Sequence, residues 1–571
     1  MIPRRSRFAS PLLFAQLVTG AALAASCSSD QTTTGSGTAG QSSAGAAGTV
    51  VDQGGSSPLA GSGGSIESGG SAPTAGDSGA TSGGSGGVSS GGSAGNESGG
   101  NGGNGGSAGQ TRPNVIFVLT DDLAMNLVQY MPNVLKMKKN GVTFSNYFVT
   151  DSLCCPSRTS MFTGKYPHNS GVFTNGGNDG GYATYVSQGN DPQTFAVALK
   201  AAGYRTAMMG KFLNGYDQQA DNAALGWTQW DVTDNGYPEY GYTLNEDGVH
   251  DPHAHTPADY LTDVLSGLGQ AFVSKKSPEP FLLEVASFAP HAPYTPAPRH
   301  STLFPNLTAP ETAAFNYRPT ASDPAWLKDI PALTPQQITG PGGLDEVFRK
   351  RAQAVQAVDE MIGALEAKLK ATGHDKDTYL FFTSDNGYHI GERSMLPGKQ
   401  TAFDTDIHVP LIVTGPGVPA GVVVDQMAQN IDLCPTFSEI AETPPPATVN
   451  GHSLLQLLHG QTVGTWRNAV LVEHHGPTAA SAGPDNEPMS AAAPTKITPP
   501  TYDALRTATA LYVEYATGET EYHDRAADPF ELQNTAASLS AAEVAKLHDA
   551  IAAIKTCKTA DGCWAAQQLK P

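Results

Sequence analysis

The chain has 571 residues, 39% of them hydrophobic, and a formal net charge of −20 from 33 Lys and Arg against 53 Asp and Glu. That length is ample for a large domain with a substantial core. The acidic balance argues against a nucleic-acid binder, although it says nothing about the charge of a local site.

Residues 1–27 read as an export signal. Arg4, Arg5 and Arg7 form a basic start, and Pro11 to Ala25 is apolar and small. The run is too short for a comfortable transmembrane helix. Ala24-Ala25-Ser26-Cys27 is similar to a bacterial lipobox, in which Cys27 carries the lipid. A plain cleaved signal with an incidental cysteine is the other reading. Residues 28–111 are Gly, Ser, Ala and Thr with scattered acids, too poor in large apolar groups to offset the entropy of ordering. A disordered tether is expected, with a reach of roughly 50 Å as a random coil. Together these features predict an exported protein: a lipoprotein held at the cell envelope or surface, otherwise a periplasmic or secreted one.

The folded part begins near Arg112. Asn114 to Thr120 is a continuous apolar run, as expected of a strand buried on both faces. Arg205 to Met209, Phe281 to Phe288, Thr378 to Thr383 and Val409 to Val413 read as further strands. Helical patterns lie between them. One spans Thr194 to Ala202 and stops at Gly203. A long amphipathic one spans Leu344 to Thr372 and stops at Gly373. Strands alternating with helices predict an α/β sandwich over 112–442. Pro444-Pro445-Pro446 is a break, and Gly476 to Pro500 reads as a long loop. Tyr502 to Tyr512 and Val513 to Tyr522 then suggest two antiparallel strands, followed by a helix over Ala541 to Lys555. Residues 443–571 are therefore expected to form a smaller α+β subdomain. Cys557 and Cys563 are close enough in sequence to bridge outside the cytoplasm, with two free thiols as the alternative.

Polar residues follow the strands. Asp121-Asp122 follow the first, Lys211 the second, His291 the third and Asp385-Asn386 the fourth. Ligands of open α/β sheets bind outside the carboxyl ends of strands, so these residues should converge. Asp121, Asp122, Asp385 and Asn386 are oxygen donors, which select Ca²⁺ or Mg²⁺ over zinc. An Asp pair alone would read as a turn or cap, but two such sets after two buried strands point to a site.

The most specific motif is Cys154-Cys155-Pro156-Ser157-Arg158, followed by Thr163-Gly164-Lys165. Pro156 suits the first turn of a helix and Gly164 its end, which puts Cys154 at a helix N-terminus that favours a bound anion. A buried cysteine pair beside a helix start is the plain alternative.

This pentapeptide resembles the sequence at which type I sulfatases oxidise a cysteine to formylglycine. From Arg112 to about Glu442 the chain is similar to that family, whose fold is the alkaline-phosphatase-like sandwich with a large mixed, mainly parallel sheet. Tyr515-Ala516-Thr517-Gly518-Glu519 and Asp528-Pro529-Phe530-Glu531-Leu532 resemble its smaller subdomain. The resemblance implies one Ca²⁺ held by Asp121, Asp122, Asp385 and Asn386 beside a formylglycine made from Cys154 by a formylglycine-generating enzyme. The hydrated aldehyde offers two hydroxyls: one attacks sulfur, the other later expels sulfate. Arg158 would stabilise that hydrate, Lys211 and Lys399 would hold sulfate oxygens, and His291 would sit at the leaving group.

One departure stands out. Leu213 occupies the place where many arylsulfatases carry a histidine, so the base that resolves the sulfated intermediate is open. His168, in Lys165-Tyr166-Pro167-His168-Asn169, and His389 are the candidates. The doubled cysteine and Asp385-Asn386-Gly387-Tyr388-His389 more closely resemble N-acetylglucosamine-6-sulfatases, implying a sulfated carbohydrate substrate. The rival readings are a broad arylsulfatase, a phosphate or phosphonate ester hydrolase on the same fold, and a surface-anchored binding protein.

Overall fold

The computed structural model describes residues 112–476 and 499–570. The signal, Cys27, the tether and most of the expected Gly476 to Pro500 loop lie outside the described residues. All the described residues belong to one compact unit, Gly102–Pro571.

A ten-stranded sheet forms its centre. Its order is Val422–Val424, Val142–Phe144, Leu411–Thr414, Thr378–Ser384, Asn114–Thr120, Phe281–Ala286, Arg205–Gly210, Gln229–Val232, Thr243–Glu246 and Val249–Pro252. The run from Thr378–Ser384 to Gln229–Val232 is parallel throughout, and antiparallel pairs flank it on both sides. Asn114–Thr120 lies between two parallel partners and is buried at every residue. Its alternation sends Val115, Phe117 and Leu119 into one core and Ile116 and Val118 into the other. Each such large side chain contributes roughly 1.5–3 kcal/mol on burial. Phe117 meets Phe437 of the Leu433–Ile440 helix at 5.4 Å between ring centroids, on one face. The Leu344–Thr372 and Leu261–Ser274 helices cover the other. This is the mixed, mainly parallel sandwich expected from the sequence.

The capping signals behave as their chemistry dictates. Thr194 Oγ1 accepts from Val197 N at 3.3 Å at the start of Phe195–Ala201. Gly373 ends the long helix with φ +81°.

The C-terminal region departs from its expected outline. It carries a four-stranded antiparallel sheet of Ala469–His474, Tyr502–Thr507, Ala510–Tyr515 and Thr520–Asp524. The stretch expected as two strands is three. The extra turn falls after Thr507, where Thr507 Oγ1 accepts from Ala510 N at 3.0 Å. A hydroxyl does there what Gly, Pro, Asn or Asp usually does, so no turn signal was visible. The helix Ala541–Lys555 has its expected bounds, and Ile551 and Ile554 pack against Leu471, Leu505 and Tyr512 of this sheet. Cys557 and Cys563 are bridged. No helix among the described residues is long and apolar enough to cross a membrane.

Candidate active site

The carboxyl ends of the central strands bring nine of the eleven candidate residues into one buried cluster, all but His168 and His389. Asp121 and Asp122 follow Asn114–Thr120. Asp122 adopts φ +64°, a region that non-glycine residues seldom enter, and this turns two successive carboxylates toward one centre. The strain is held from both sides: Asp122 N donates to Asp385 Oδ1 at 3.1 Å, and its carbonyl accepts from Arg351 Nη2. Asp385 and Asn386 follow Thr378–Ser384, the parallel neighbour, in matching register.

Cys154 is the first residue of the helix Cys154–Thr163, every residue of which is buried. Gly164 ends it with φ +68°, and a Cβ there would lie 2.4 Å from Val449 Cγ2. Pro156 sits within the first turn, as expected. Cys154 Sγ lies 3.3 Å from Asp121 Oδ1 and 2.7 Å from Lys399 Nζ. Cys155 faces away: its N–H donates to Asn175 Oδ1 at 2.9 Å, and burial pushes its thiol up to about 12. Such a thiol is inert at neutral pH.

Each carboxylate has its own cation. Lys211 Nζ contacts Asp121 Oδ2 at 2.5 Å, Lys399 Nζ contacts Asp122 Oδ1 at 2.8 Å, and Arg158 Nε contacts Asp385 Oδ2 at 2.8 Å. Burial opposes the charge on Lys211, but Asp121 and Cys154 outweigh it and hold its pKa well above the ordinary value. Burial likewise opposes ionisation of Asp385, and Arg158, Lys211 and Lys399 reverse that and lower its pKa. Burying so many charges is a poor way to gain stability, which makes the cluster a functional candidate.

His291 joins through Nε2, 3.5 Å from Asp122 Oδ2, while Nδ1 lies 2.8 Å from the Ala292 carbonyl. That carbonyl can only accept, so Nδ1 carries the proton and the Nε2 end faces the cluster. Tyr237 covers both His291, at 4.6 Å between centroids, and Lys211 Nζ, at 4.9 Å from the ring centre.

The structure does not bring His168 into this cluster. Its Nδ1 pairs with Glu473 Oε2 at 2.8 Å, Nε2 meets Asn169, and the ring stacks on Tyr166. His389 also turns elsewhere, with Nδ1 2.9 Å from Asp406 Oδ2. Leu213 is buried in the core. Arg351 is a site residue that sequence reasoning missed. From the long helix it donates to the carbonyls of Asp122 and Pro290, and its guanidinium lies 4.1 Å from the Tyr388 ring centre. The signal was available: an arginine on the apolar face, between Phe348 and Val355.

The donor set fits a hard cation. Ligand atoms of Asp121, Asp122, Cys154 and Asp385 all lie within 4.8 Å of one another. Asn386 donates its amide N–H to Asp122 Oδ1 at 2.7 Å, and its buried Oδ1 has no hydrogen-bond partner. A buried amide oxygen left over beside carboxylates is what an oxygen-ligated divalent ion would use.

The Sulfatase family model matches residues 113–443, more than half of the chain. The chain belongs to the sulfatase family. The N-acetylglucosamine-6-sulfatase of Homo sapiens is 36% identical over 483 residues, covering 79% of this chain and 86% of the relative. Among solved structures, one in complex with its substrate D-glucosamine-2-N,6-O-disulfate superposes with a TM-score of 0.63 at 24% identity, covering 77% of this chain and 97% of the other. The phosphonate monoester hydrolase of Agrobacterium radiobacter superposes at 0.60 with 21% identity, over 78% and 96%. These two share the alkaline-phosphatase-like fold. The protein is thus a sulfatase, an enzyme that hydrolyses sulfate esters.

Proposed function

We propose that this sulfatase releases sulfate from sulfated hexosamine units of a polysaccharide, with Cys154 in its formylglycine form as nucleophile and one Ca²⁺ in the carboxylate cluster. The observation that carries the mechanism is the convergence of Cys154, three carboxylates and two lysines at the strand ends. The sugar assignment rests on relatives named N-acetylglucosamine-6-sulfatase across most of both chains.

Asp121, Asp122, Asp385 and Asn386 would hold the ion, which when bound would lower the cost of negative charge on the nucleophile and the sulfuryl oxygens. The Sγ position of Cys154 marks where the hydrated aldehyde's hydroxyls would stand. Arg158 orients Asp385 and reaches the Lys211 carbonyl at 2.8 Å, so it ties the helix of the nucleophile to the ligand strand. Lys211 and Lys399 place two ammonium groups beside the reacting centre, where they offset charge that develops on sulfuryl oxygens. His291, with Nε2 facing the cluster, would deliver a proton to the departing alcohol.

Comparing hydrolysis of 6-sulfated N-acetylglucosamine, a sulfated polysaccharide, an aryl sulfate and an aryl phosphate tests this reading. The first two should be preferred. Preference for the aryl sulfate would reject the glycan assignment, and preference for the aryl phosphate would favour the phosphonate-hydrolase reading, which the fold likeness to such an enzyme keeps in view. We further propose that Cys27 carries lipid and holds the enzyme at the cell envelope on the Gly/Ser tether. A Cys27→Ala variant should leave the membrane fraction.

A further inference from the structure

The segment that carries Lys399 is gripped by two residues to which the mechanism gives no part. His389 and Gly398 exchange backbone hydrogen bonds, His389 N to Gly398 O at 2.9 Å and Gly398 N to His389 O at 3.2 Å. A Cβ on Gly398 would lie 2.9 Å from His389 Nε2, so the backbone rides directly against the imidazole. Asp406 is the common acceptor. Its Oδ2 takes His389 Nδ1 at 2.9 Å, Thr401 N at 3.0 Å and Thr401 Oγ1 at 2.7 Å. The carbonyls of Asp406 and Thr405 accept from Gly387 N at 2.8 Å and Tyr388 N at 2.9 Å.

Three segments are thereby joined: 386–389, 398–401 and 405–406. The first begins with Asn386 and the second holds Lys399. Between Lys399 and Thr401 the chain strains, since Gln400 adopts φ +83°. Such a conformation persists only where the surroundings over-determine it. Here the Gln400 carbonyl accepts from Tyr502 Oη at 3.1 Å and the Thr401 carbonyl from Ser152 Oγ at 2.9 Å. The outcome is an ammonium group at 2.7 Å from Cys154 Sγ and 2.8 Å from Asp122 Oδ1. His389 is fully committed to this frame. Its ring contacts are Asp406, Tyr388, the Gly398 backbone and the Leu396 backbone.

Resting on the role given above to Lys399, we propose that His389 and Asp406 are positioning residues that hold the Lys399 ammonium at Cys154, and so govern turnover rather than substrate capture. They touch neither nucleophile nor ion site themselves. A displacement of about 1 Å at such a group costs on the order of 10²-fold in rate.

The test is a double-mutant cycle in the full-length enzyme, with 6-sulfated N-acetylglucosamine as substrate. His389→Ala and Asp406→Asn should each lower kcat about 10²-fold with KM changed less than about threefold. In a Lys399→Ala background, His389→Ala should add less than about a further threefold, because two residues acting through one group are non-additive. Gly398→Ala, which presses on the imidazole without removing a charge, should reproduce the loss while the unfolding midpoint stays near that of the parent. It stands in where Asp406→Asn fails to fold. Equal losses from His389→Ala in both backgrounds, or unchanged kcat in the single variants, would overturn the clamp. Unchanged kcat in Lys399→Ala would instead reject the role of Lys399, and the clamp with it.

Discussion

Two buried anionic networks in this molecule look alike and are held by different kinds of partner. Asp432 is fully buried, and its carboxylate accepts from the N–H groups of Gln429 and His452, each at 2.8 Å, and from Arg467 Nη2 at 2.6 Å. Backbone donors and a planar guanidinium hold it, so the network joins separate segments of the chain. In the Cys154 cluster, Asp121 and Asp122 face lysine ammonium groups, a thiol, a side-chain amide and an imidazole. Lysine is a point charge on a flexible stem, able to exchange one anionic partner for another. The partners of Asp432 are rigid, whereas those of Asp121 and Asp122 can be traded; Asp385, held by Arg158 and the N–H groups of Asp122 and Asn386, joins the two kinds within one cluster.

The sharpest way to break this contrast is at Cys154. Cys154→Ala should lower turnover by at least about 10³-fold, on the scale of losing a nucleophile, while Cys155→Ala should retain most activity. Full activity in the Cys154 variant would remove the cluster's chemical role, and intact-mass analysis of the Cys154 peptide reads its oxidation state directly. Next is the ion. Chelation should lower activity about 10²-fold or more, and Ca²⁺ should restore it. Restoration by zinc alone would favour the phosphoesterase chemistry.

On the structural side, Asp432→Asn leaves Arg467 buried without its counter-charge and should cost roughly 3–5 kcal/mol of stability. The check is denaturant unfolding, with kcat of the folded enzyme unchanged. A fall in kcat at constant folded fraction would erase the distinction between the networks.

Glu284 sharpens the comparison with a buried acid that has no hydrogen-bond partner at either oxygen. Burial pushes its pKa up to about 8, against a smaller downward pull from Arg158. The native state therefore keeps a proton that the unfolded chain releases near its ordinary value. The contribution of Glu284 is fully present below the unfolded pKa and is lost as pH rises through the native one. The slope approaches about 1.4 kcal/mol per pH unit between about pH 5 and pH 8. Glu284→Gln should remove that slope and gain on the parent as pH rises. Parallel unfolding curves for the two proteins across that range would contradict it.

Much of this was legible in the chain. The bounds of Leu344–Thr372 and the strand Asn114–Thr120 follow from local hydrophobic pattern and end signals, which need no knowledge of distant partners. The acids after two strands were legible for the same reason, since strand ends mark the site edge. What escaped depended on partner choice. His168 lies shortly after Cys154 in sequence, yet Glu473, about three hundred residues later, takes its imidazole. Arg351 was hidden in a helical stripe because its acceptors, the carbonyls of Asp122 and Pro290, carry no side-chain signature. The three-stranded ending was hidden by a threonine turn.

The complete burial of the Cys154–Thr163 helix sets a schedule. Once the sandwich closes, no other protein can grip the residues around Cys154. The closure also draws on the far end of the chain, because Asn169, just beyond this helix, donates to the Cys557 carbonyl at 2.9 Å. If Cys154 is oxidised as proposed, the oxidising protein has to meet it on an open chain, before folding is complete. Oxidation of Cys154, on the proposed reading, and folding are then competitors for one segment. On that reading, a chain that folds too early would be well formed, stable and without the proposed nucleophile.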